Sequence, residues 1–157
     1  MKSIIVFHSY HHNNTRKIAE VISNIIGSDI KSTFEVNEKQ LSEYNLIGFG
    51  SGIDSGRHYK ELLDFADNLS TVDKKECFIF STSAIQGETK VKKDHTKLRK
   101  ILELKGFDVV DEFSCKGFNT NSFLKYIGGM NKNRPNEEDL NNAEKFASTL
   151  NELSGIN

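Results

Sequence analysis

Apolar residues follow two kinds of pattern along this chain, and each kind predicts a different element. Three short runs are almost entirely apolar: SIIVF (3–7), LIGFG (46–50) and CFIFS (77–81). Runs of this length predict strands that are buried on both faces of a parallel sheet. Apolar and polar residues alternate in DIKSTFEV (29–36) and in DVVDEFSC (108–115). Such alternation indicates the less buried edge strands of a sheet. In the second segment, Val109, Phe113 and Cys115 would share one face.

Between these segments, apolar residues recur at the three- and four-residue spacing of amphipathic helices. Gly27 and Gly106 close the first and third of these stripes, as C-cap residues do. Asn136, with Asp139 three residues later, predicts a capping box at the start of the last helix. The four predicted helices carry their apolar stripes at residues 18–26, 59–69, 98–102 and 140–150.

The order of these elements predicts an α/β fold, a doubly wound five-stranded parallel sheet with helices on both faces. The alternating second and fifth strands belong at the edges, which selects the strand order 2-1-3-4-5. No repeat and no Pro-, Gly- or Ser-rich linker interrupts the chain. We therefore expect a single domain over residues 1–157.

Composition and charge exclude several classes of protein. Hydrophobic residues make up 36% and charged residues 27% of the chain, and the formal net charge is −1. A chain this close to neutral predicts neither nucleic acid nor an acidic membrane as a partner. The absence of a leader pattern and of an apolar stretch of ~20 residues favours a cytoplasmic protein. Cys77 and Cys115 are too few for a zinc or disulfide framework, and we expect both to be buried reduced thiols.

Charge is nevertheless unevenly distributed. Residues 88–105 contain seven Lys or Arg and three Asp or Glu, whereas residues 135–157 contain five Asp or Glu and only Lys145 as a cation. Two solvated helix faces of opposite sign explain this pattern. A docking surface for a charged partner is the alternative.

The candidate chemistry lies in the loops that follow the strands, because ligands of open α/β sheets bind beyond the carboxyl ends of the strands. The loop HSYHHNNT (8–15) offers three possibilities. A metal site on His8, His11 and His12 lacks the carboxylates or thiolates that would complete it, so we expect no metal. An anion site uses hydroxyls, amides and the N–H groups of the following helix. A capped turn without a ligand is equally compatible with the pattern.

A resemblance decides between these possibilities. The sequence strand, Ser-Tyr-His-His-Asn-Asn-Thr, helix resembles the phosphate loop of flavodoxins and flavodoxin-like proteins. The similarity extends to GFGSGI after the third strand, FSTSA after the fourth, and GGMNKNRPNEEDL before the last helix. Asn13 stands where the family usually has Gly, and Asn tolerates the left-handed backbone that this position requires.

The resemblance implies FMN as the cofactor and assigns three groups of binding residues. The phosphate would be held by Ser9, His11, His12, Asn13, Asn14 and Thr15. The isoalloxazine ring would lie along Ser51, Gly52, Ile53 and Asp54, where a peptide between Gly52 and Gly56 could turn towards the reduced ring; the candidates for stacking are His58, Tyr59, Phe118 and Ile53. The pyrimidine edge would meet backbone groups of Thr82, Ser83, Ala84, Ile85 and Gly87.

The function that the resemblance implies is low-potential transfer of one electron at a time between redox partner proteins. An FMN-dependent NAD(P)H or quinone reductase is the alternative, for which His58 and Arg57 are the candidate acid–base residues. A phospho-acceptor signalling domain of the same strand order would use Asp54, Thr82 and Lys116, but it lacks the acidic pair that binds Mg²⁺ after the first strand.

Overall fold

A computed structural model describes residues 1–10, 13–117 and 131–155. The strands are β1 (Ser3–His8), β2 (Asp29–Ser32), β3 (Leu46–Asp54), β4 (Arg57–His58), β5 (Lys75–Ser83) and β6 (Phe107–Lys116). The helices are α1 (Asn14–Ile26), α2 (Glu38–Leu41), α3 (Lys60–Asp67), α4 (Glu88–Leu104) and α5 (Glu137–Leu153).

Five strands form a parallel sheet in the order β2-β1-β3-β5-β6, and β4 pairs antiparallel with the end of β3. This confirms the predicted order 2-1-3-4-5, because β5 and β6 are the predicted fourth and fifth strands. Helices α1 and α5 pack together on one face, and α3 and α4 pack on the other. The alternating segments provide β2 and β6, which lie at the two edges as expected.

Each face of the sheet has its own buried core, as unbroken apolar strands require. Ile4, Val6 and Phe49 face α3 and α4, whereas Ile5 and Phe7 face α1 and α5. Glycines at positions 48 and 50 of β3 leave room for two fully buried rings of β5, those of Phe78 and Phe80, to lie directly against the backbone of β3.

Both edge strands differ from the predicted pattern. Strand β2 ends at Ser32, and Phe34, which the alternation had placed in the strand, is 79% exposed. Strand β6 contains a bulge opposite Cys77 and Phe78, because Val110 has no partner in the register. One extra residue reverses the facing of every residue beyond it. Val109 therefore packs on the α3–α4 side, whereas Phe113 and Cys115 share the α1–α5 side, so the predicted shared face was wrong for Val109.

Helix ends and cysteines follow the sequence closely. Gly27 caps α1 in a left-handed conformation with φ 66°. At the start of α5, the Asp139 N–H donates to Asn136 Oδ1 (3.1 Å), and the Asn136 N–H donates to Asp139 Oδ2 (2.9 Å), which confirms the capping box. Cys77 and Cys115 are buried, and burial raises the pKa of both thiols. Among the described residues, no helix is both long and apolar enough to cross a membrane.

Candidate functional site

The start of α1 lies at the carboxyl end of β1 and differs from the start of every other described helix. Asn13 occupies the N-cap position with φ 53°, the left-handed conformation expected of it, and its side chain makes no cap hydrogen bond. The first turn of α1 contains no acidic residue, whereas α2 to α5 each carry at least one. Because the first N–H groups of a helix lack intrahelical partners and carry about half a positive charge, this end favours an anion.

A hydroxyl pair links this helix to β5. Thr15 Oγ1 lies 3.0 Å from Thr82 Oγ1, and both side chains are buried. Gly117, just after β6, also approaches α1 closely, since a Cβ at Gly117 would lie 2.8 Å from Asn14 Nδ2. The ends of β5 and β6 thus meet the first turn of α1. The phospho-acceptor reading needs Thr82 beside Asp54 and Lys116, but here the Thr82 hydroxyl faces Thr15.

Strands β3 and β4 form a hairpin with a two-residue turn. Ser55 and Gly56 both have positive φ (52° and 76°), as a type I′ turn requires. Gly52 lies within β3, and its carbonyl accepts hydrogen bonds from Ser51 Oγ (2.7 Å) and the Tyr59 N–H (3.3 Å). The Gly52 carbonyl is thus already hydrogen-bonded, whereas the peptide between Ser55 and Gly56 lies at the hairpin tip, within the range predicted to turn.

Gly52 has a different task, which is to accommodate an aromatic ring. A Cβ at Gly52 would lie 2.6 Å from Tyr59 Cζ, so the half-buried ring of Tyr59 rests on the bare backbone of β3. The Tyr10 ring lies 5.1 Å from the Tyr59 ring at a tilt of 53°. Among the predicted stacking residues that the structure describes, Tyr59 has its ring over Gly52 and near the His8 ring (6.2 Å) at the carboxyl end of β1. Ile53 is half-buried beside it, and Phe118 lies outside the described residues.

His58, in β4, points towards α4 and is buried between the hairpin and that helix. Its side chain is 1% exposed, and Nδ1 lies 2.9 Å from Ser51 Oγ. The ring packs at 4.9 Å against that of His95, which lies 2.8 Å from Ser81 Oγ through Nε2 and 3.2 Å from Glu112 through Nδ1. Burial, and then the neighbouring His95, hold the pKa of His58 well below its usual value. His58 thus fixes the hairpin to α4 and cannot contact a substrate, so it is not an acid–base candidate.

The β5–α4 loop is held in shape by one side chain. Gln86 Nε2 donates to Ser83 Oγ (2.8 Å), Ser114 Oγ (3.2 Å) and the Cys115 carbonyl (2.9 Å). The carbonyls of Ser83 and Ala84 accept from the Gly117 N–H (3.1 Å) and Asn131 Nδ2 (2.8 Å). The N–H groups of residues 85–87 make no hydrogen bond within the described part of the chain. The loop therefore offers a ligand mainly hydrogen-bond donors, the backbone N–H groups, because several of its carbonyls are already bonded within the chain.

A second cluster beside the site escaped the sequence analysis. The Tyr10 hydroxyl donates to Glu61, and His8 Nε2 lies 3.8 Å from the same carboxylate. This bond raises the pKa of Tyr10 to about 12, and burial lowers the pKa of His8. Tyr10 and Glu61 are fifty-one residues apart in the chain. The sequence signal that could have indicated this cluster was His8, a titratable residue at the end of a buried strand.

The other predicted residues are distributed as follows. Ser9, at the end of β1, donates weakly to the Tyr10 carbonyl (3.4 Å). Asp54 is exposed on the hairpin, and Ile85 and Gly87 are exposed on the β5–α4 loop. His11 and His12 lie outside the described residues, so their predicted place at the phosphate stays a prediction. The predicted ligands that the structure describes all lie at the carboxyl end of the sheet.

Comparisons with known proteins agree with this arrangement. A solved structure of oxidised flavodoxin 2 from Bacillus cereus superposes with a TM-score of 0.73 at 20% identity, covering 97% of this chain and 99% of that one. A flavodoxin from the domain Archaea gives a TM-score of 0.60 at 19% identity, covering 94% of each chain. At these identities the likeness shows the fold alone.

Sequence similarity goes further. An uncharacterised protein of Methanocaldococcus jannaschii is 42% identical over 150 residues, which cover 96% of this chain and 98% of that protein. The sequence pattern of the flavodoxin domain family matches residues 4–149. A match of that extent runs from β1 into α5, and on it we place this protein in the flavodoxin domain family.

Proposed function

We propose that this chain binds FMN and carries single electrons between redox partner proteins. The observation that carries the proposal is the start of α1, where an acid-free first turn with a left-handed N-cap residue, Asn13, meets the buried hydroxyls of Thr15 and Thr82. Asn37 and Asn136 place a side-chain acceptor on the first N–H groups of α2 and α5, whereas α3 and α4 have no side-chain cap but carry an acidic residue in the first turn. The Asn13 side chain makes no such bond, and the start of α1 suits an anion such as the FMN phosphate.

The residues around the crevice fit the remainder of the cofactor. Tyr59, seated on Gly52, offers a flat apolar surface to one face of the ring. The N–H groups of residues 85–87 suit the carbonyl oxygens of the pyrimidine edge, and Gln86 holds their loop in place. Bound FMN would supply the redox chemistry, and the Cys77 and Cys115 thiols are both buried.

The hairpin tip supports transfer of one electron at a time. Asp54, Ser55 and Gly56 are exposed there, and the peptide between the two left-handed residues makes no backbone hydrogen bond within the described residues. A carbonyl at this tip could accept a hydrogen bond from a protonated ring nitrogen. Such a bond contributes ~0.5–1.5 kcal/mol, enough to separate two electron-transfer steps by several-fold to about tenfold.

A reductase remains the second candidate because of the cluster formed by His8, Tyr10 and Glu61. A tyrosine hydroxyl bonded to a carboxylate, with a buried imidazole 3.8 Å from that carboxylate, is suited to deliver a proton to an organic substrate. If the protein is an electron carrier, this cluster has no chemical role and only positions Tyr10 beside Tyr59.

Anaerobic potentiometric titration of the FMN-loaded protein tests the proposal. We expect FMN to bind at micromolar affinity or better, and its reduction to resolve into two separate one-electron steps. The NADH and NADPH oxidation rate with a quinone acceptor should equal that of free FMN. A single two-electron step, with sustained NAD(P)H turnover that Tyr10→Phe abolishes, would establish the reductase instead. If the protein failed to retain FMN, both the electron-carrier and the reductase proposals would be refuted.

A further inference from the structure

Two helices of opposite charge lie on opposite faces of the sheet. Helix α4 contains six basic and three acidic residues, and α5 contains five acidic residues against Lys145. Since α4 packs with α3, and α5 packs with α1, the two charges are separated by the thickness of the sheet. With all four helices counted, the α3–α4 pair carries a formal charge of +1 and the α1–α5 pair −3, so the net charge of −1 conceals a dipole across the sheet. A dipole of this kind orients a charged partner during its approach.

Part of the charge on α4 is neutralised within the chain and part is not. Lys90 pairs with Asp94 (2.6 Å), Lys92 with Glu88 (3.4 Å) and Arg99 with Glu112 (2.8 Å). The exposed lysines at positions 93, 97 and 100 make no ion pair within the described residues. Like charges one turn apart destabilise a helix by ~0.2–0.5 kcal/mol. The fold thus gains nothing from these three charges.

The unpaired charges begin beside the candidate site. Helix α4 starts at Glu88, immediately after the β5–α4 loop, so Lys93 lies in its second turn. Ile85 on that loop is 55% exposed, a large apolar side chain in water at the edge of the crevice. The tip of the β3–β4 hairpin adjoins the same helix, because a Cβ at Gly56 would lie 3.8 Å from Asp94 Oδ1. Arg57 on the hairpin is exposed.

We propose that this surface, the basic rim formed by Arg57, Ile85, Lys93 and Lys97, docks redox partners that present an acidic patch. The surface combines the exposed apolar Ile85 with three cations; Asp54 and Glu88 are also exposed there, and Glu88 is paired with Lys92. Complementary charge steers a partner to such a surface. The unpaired lysines steer an acidic protein to the crevice, while the acidic α5 turns it away from the far face. The inference rests on the proposed electron-carrier function and identifies the class of its partner.

Stopped-flow measurements with two proteins of opposite charge test it. The probes are an acidic plant-type [2Fe–2S] ferredoxin as electron donor and the basic protein cytochrome c as electron acceptor. Rate constants are measured at about 10 mM and about 1 M ionic strength, where the screening length is roughly 30 Å and 3 Å. We expect the ferredoxin rate to fall steeply with salt, and the cytochrome c rate to stay flat or rise.

Charge reversal on α4 is compared with a matched reversal elsewhere. K93E/K97E should slow the reaction with ferredoxin by about tenfold or more at low salt and leave the high-salt rate unchanged. K39E/K145E makes the same change in net charge on α2 and α5, and should alter the rate less than about twofold. Equal effects of the two double variants would show that only net charge matters and would overturn the proposal. A cytochrome c rate that falls with salt would overturn it as well.

A binding measurement separates the docking surface from the electron-carrier function. If neither probe reacts at 1 M salt, the electron-carrier proposal fails. The docking surface is then read from amide NMR shifts of the chain titrated with ferredoxin. Shifts confined to α4, the β5–α4 loop and the hairpin support it, whereas shifts elsewhere or none overturn it. Self-association lost in K93E/K97E would show that the rim binds a second copy through α5, and would also overturn it.

Discussion

Replacing Thr15 with Val tests two roles of one hydroxyl. Thr15 Oγ1 lies 3.0 Å from Thr82 Oγ1, and the two side chains are 2% and 5% exposed. Each hydroxyl has one proton, so only one can donate to the other. If Thr82 donates, Thr15 keeps its proton for a phosphate oxygen at the start of α1. Val has nearly the same shape, so the substitution removes both hydrogen bonds and leaves the packing intact.

The expected magnitudes follow from burial and charge. Without Thr15 the buried Thr82 hydroxyl loses this partner, which should lower the free energy of unfolding by ~1–3 kcal/mol. A hydrogen bond to a charged group contributes ~1.5–3 kcal/mol, so FMN should bind roughly ten- to a hundredfold more weakly. Riboflavin lacks the phosphate, and its affinity should stay unchanged. Urea unfolding of the cofactor-free protein and fluorescence titration with each flavin measure these quantities.

Variants at Thr82 separate the two roles. Thr82→Val should lower stability by a similar amount but affect FMN much less, because Thr15 retains its proton. In the double variant T15V/T82V the loss of stability should be smaller than the sum of the single losses, since neither hydroxyl is then left unpaired. Thr15→Ser should restore both properties. If Thr15→Val weakened FMN and riboflavin equally, the hydroxyl would not face the phosphate, and the assignment of the loop would be refuted.

The other predictions concern the glycines of β3 and the buried histidine. Gly50→Ala should lower the free energy of unfolding by ~1–3 kcal/mol, because the new Cβ would overlap the immobile ring of Phe80; unchanged urea denaturation would contradict this. Gly52→Ala meets the half-exposed ring of Tyr59 instead, so FMN titration should show weaker binding while urea unfolding changes little. Because the pKa of His58 is depressed in the folded state, its contribution to stability is complete above pH 6.5 and is lost as the pH falls towards its folded pKa. Between pH 6.5 and the folded pKa, His58→Asn should reduce the slope of unfolding free energy against pH by up to ~1.4 kcal/mol per unit, and an unaltered slope would exclude this origin.

Sequence patterns located most of the sheet because strands buried on two faces consist of unbroken apolar runs. Runs such as SIIVF and CFIFS admit few polar residues, and each became a central strand. The errors lie where burial is partial. Phe34 continues the alternation of apolar residues, although the strand itself ends at Ser32. The bulge at Val110 depends on how β6 pairs with β5, which no local pattern encodes. Strand β4 has two residues and derives from the left-handed turn at Ser55 and Gly56.

The candidate site was predictable by its position at the strand ends and not as a set of contacts. Residues 51–54 and 82–83, predicted as loops, are the last residues of β3 and β5. Parallel strands bring their carboxyl ends together, which is why loops so distant in the chain could be assigned to one crevice. The Thr15–Thr82 pair spans sixty-seven residues, and the Tyr10–Glu61 pair spans fifty-one. Such pairs arise from tertiary packing and leave no periodic signal. His58 shows the converse, because a histidine in a polar loop suggested chemistry, yet the hairpin buries it as a structural residue.

The interrupted edges of the sheet have a consequence for assembly at high concentration. An unpaired strand edge is a template for another chain, and long regular edges promote intermolecular strand pairing. Here β2 offers four residues, and β6 breaks its register at Val110 and carries Asp108, Asp111 and Glu112. Adding a strand to either edge would require a distorted register or the burial of carboxylates. Deleting Val110 would straighten β6, and we would expect that variant to form intermolecular β-structure at protein concentrations the parent chain tolerates.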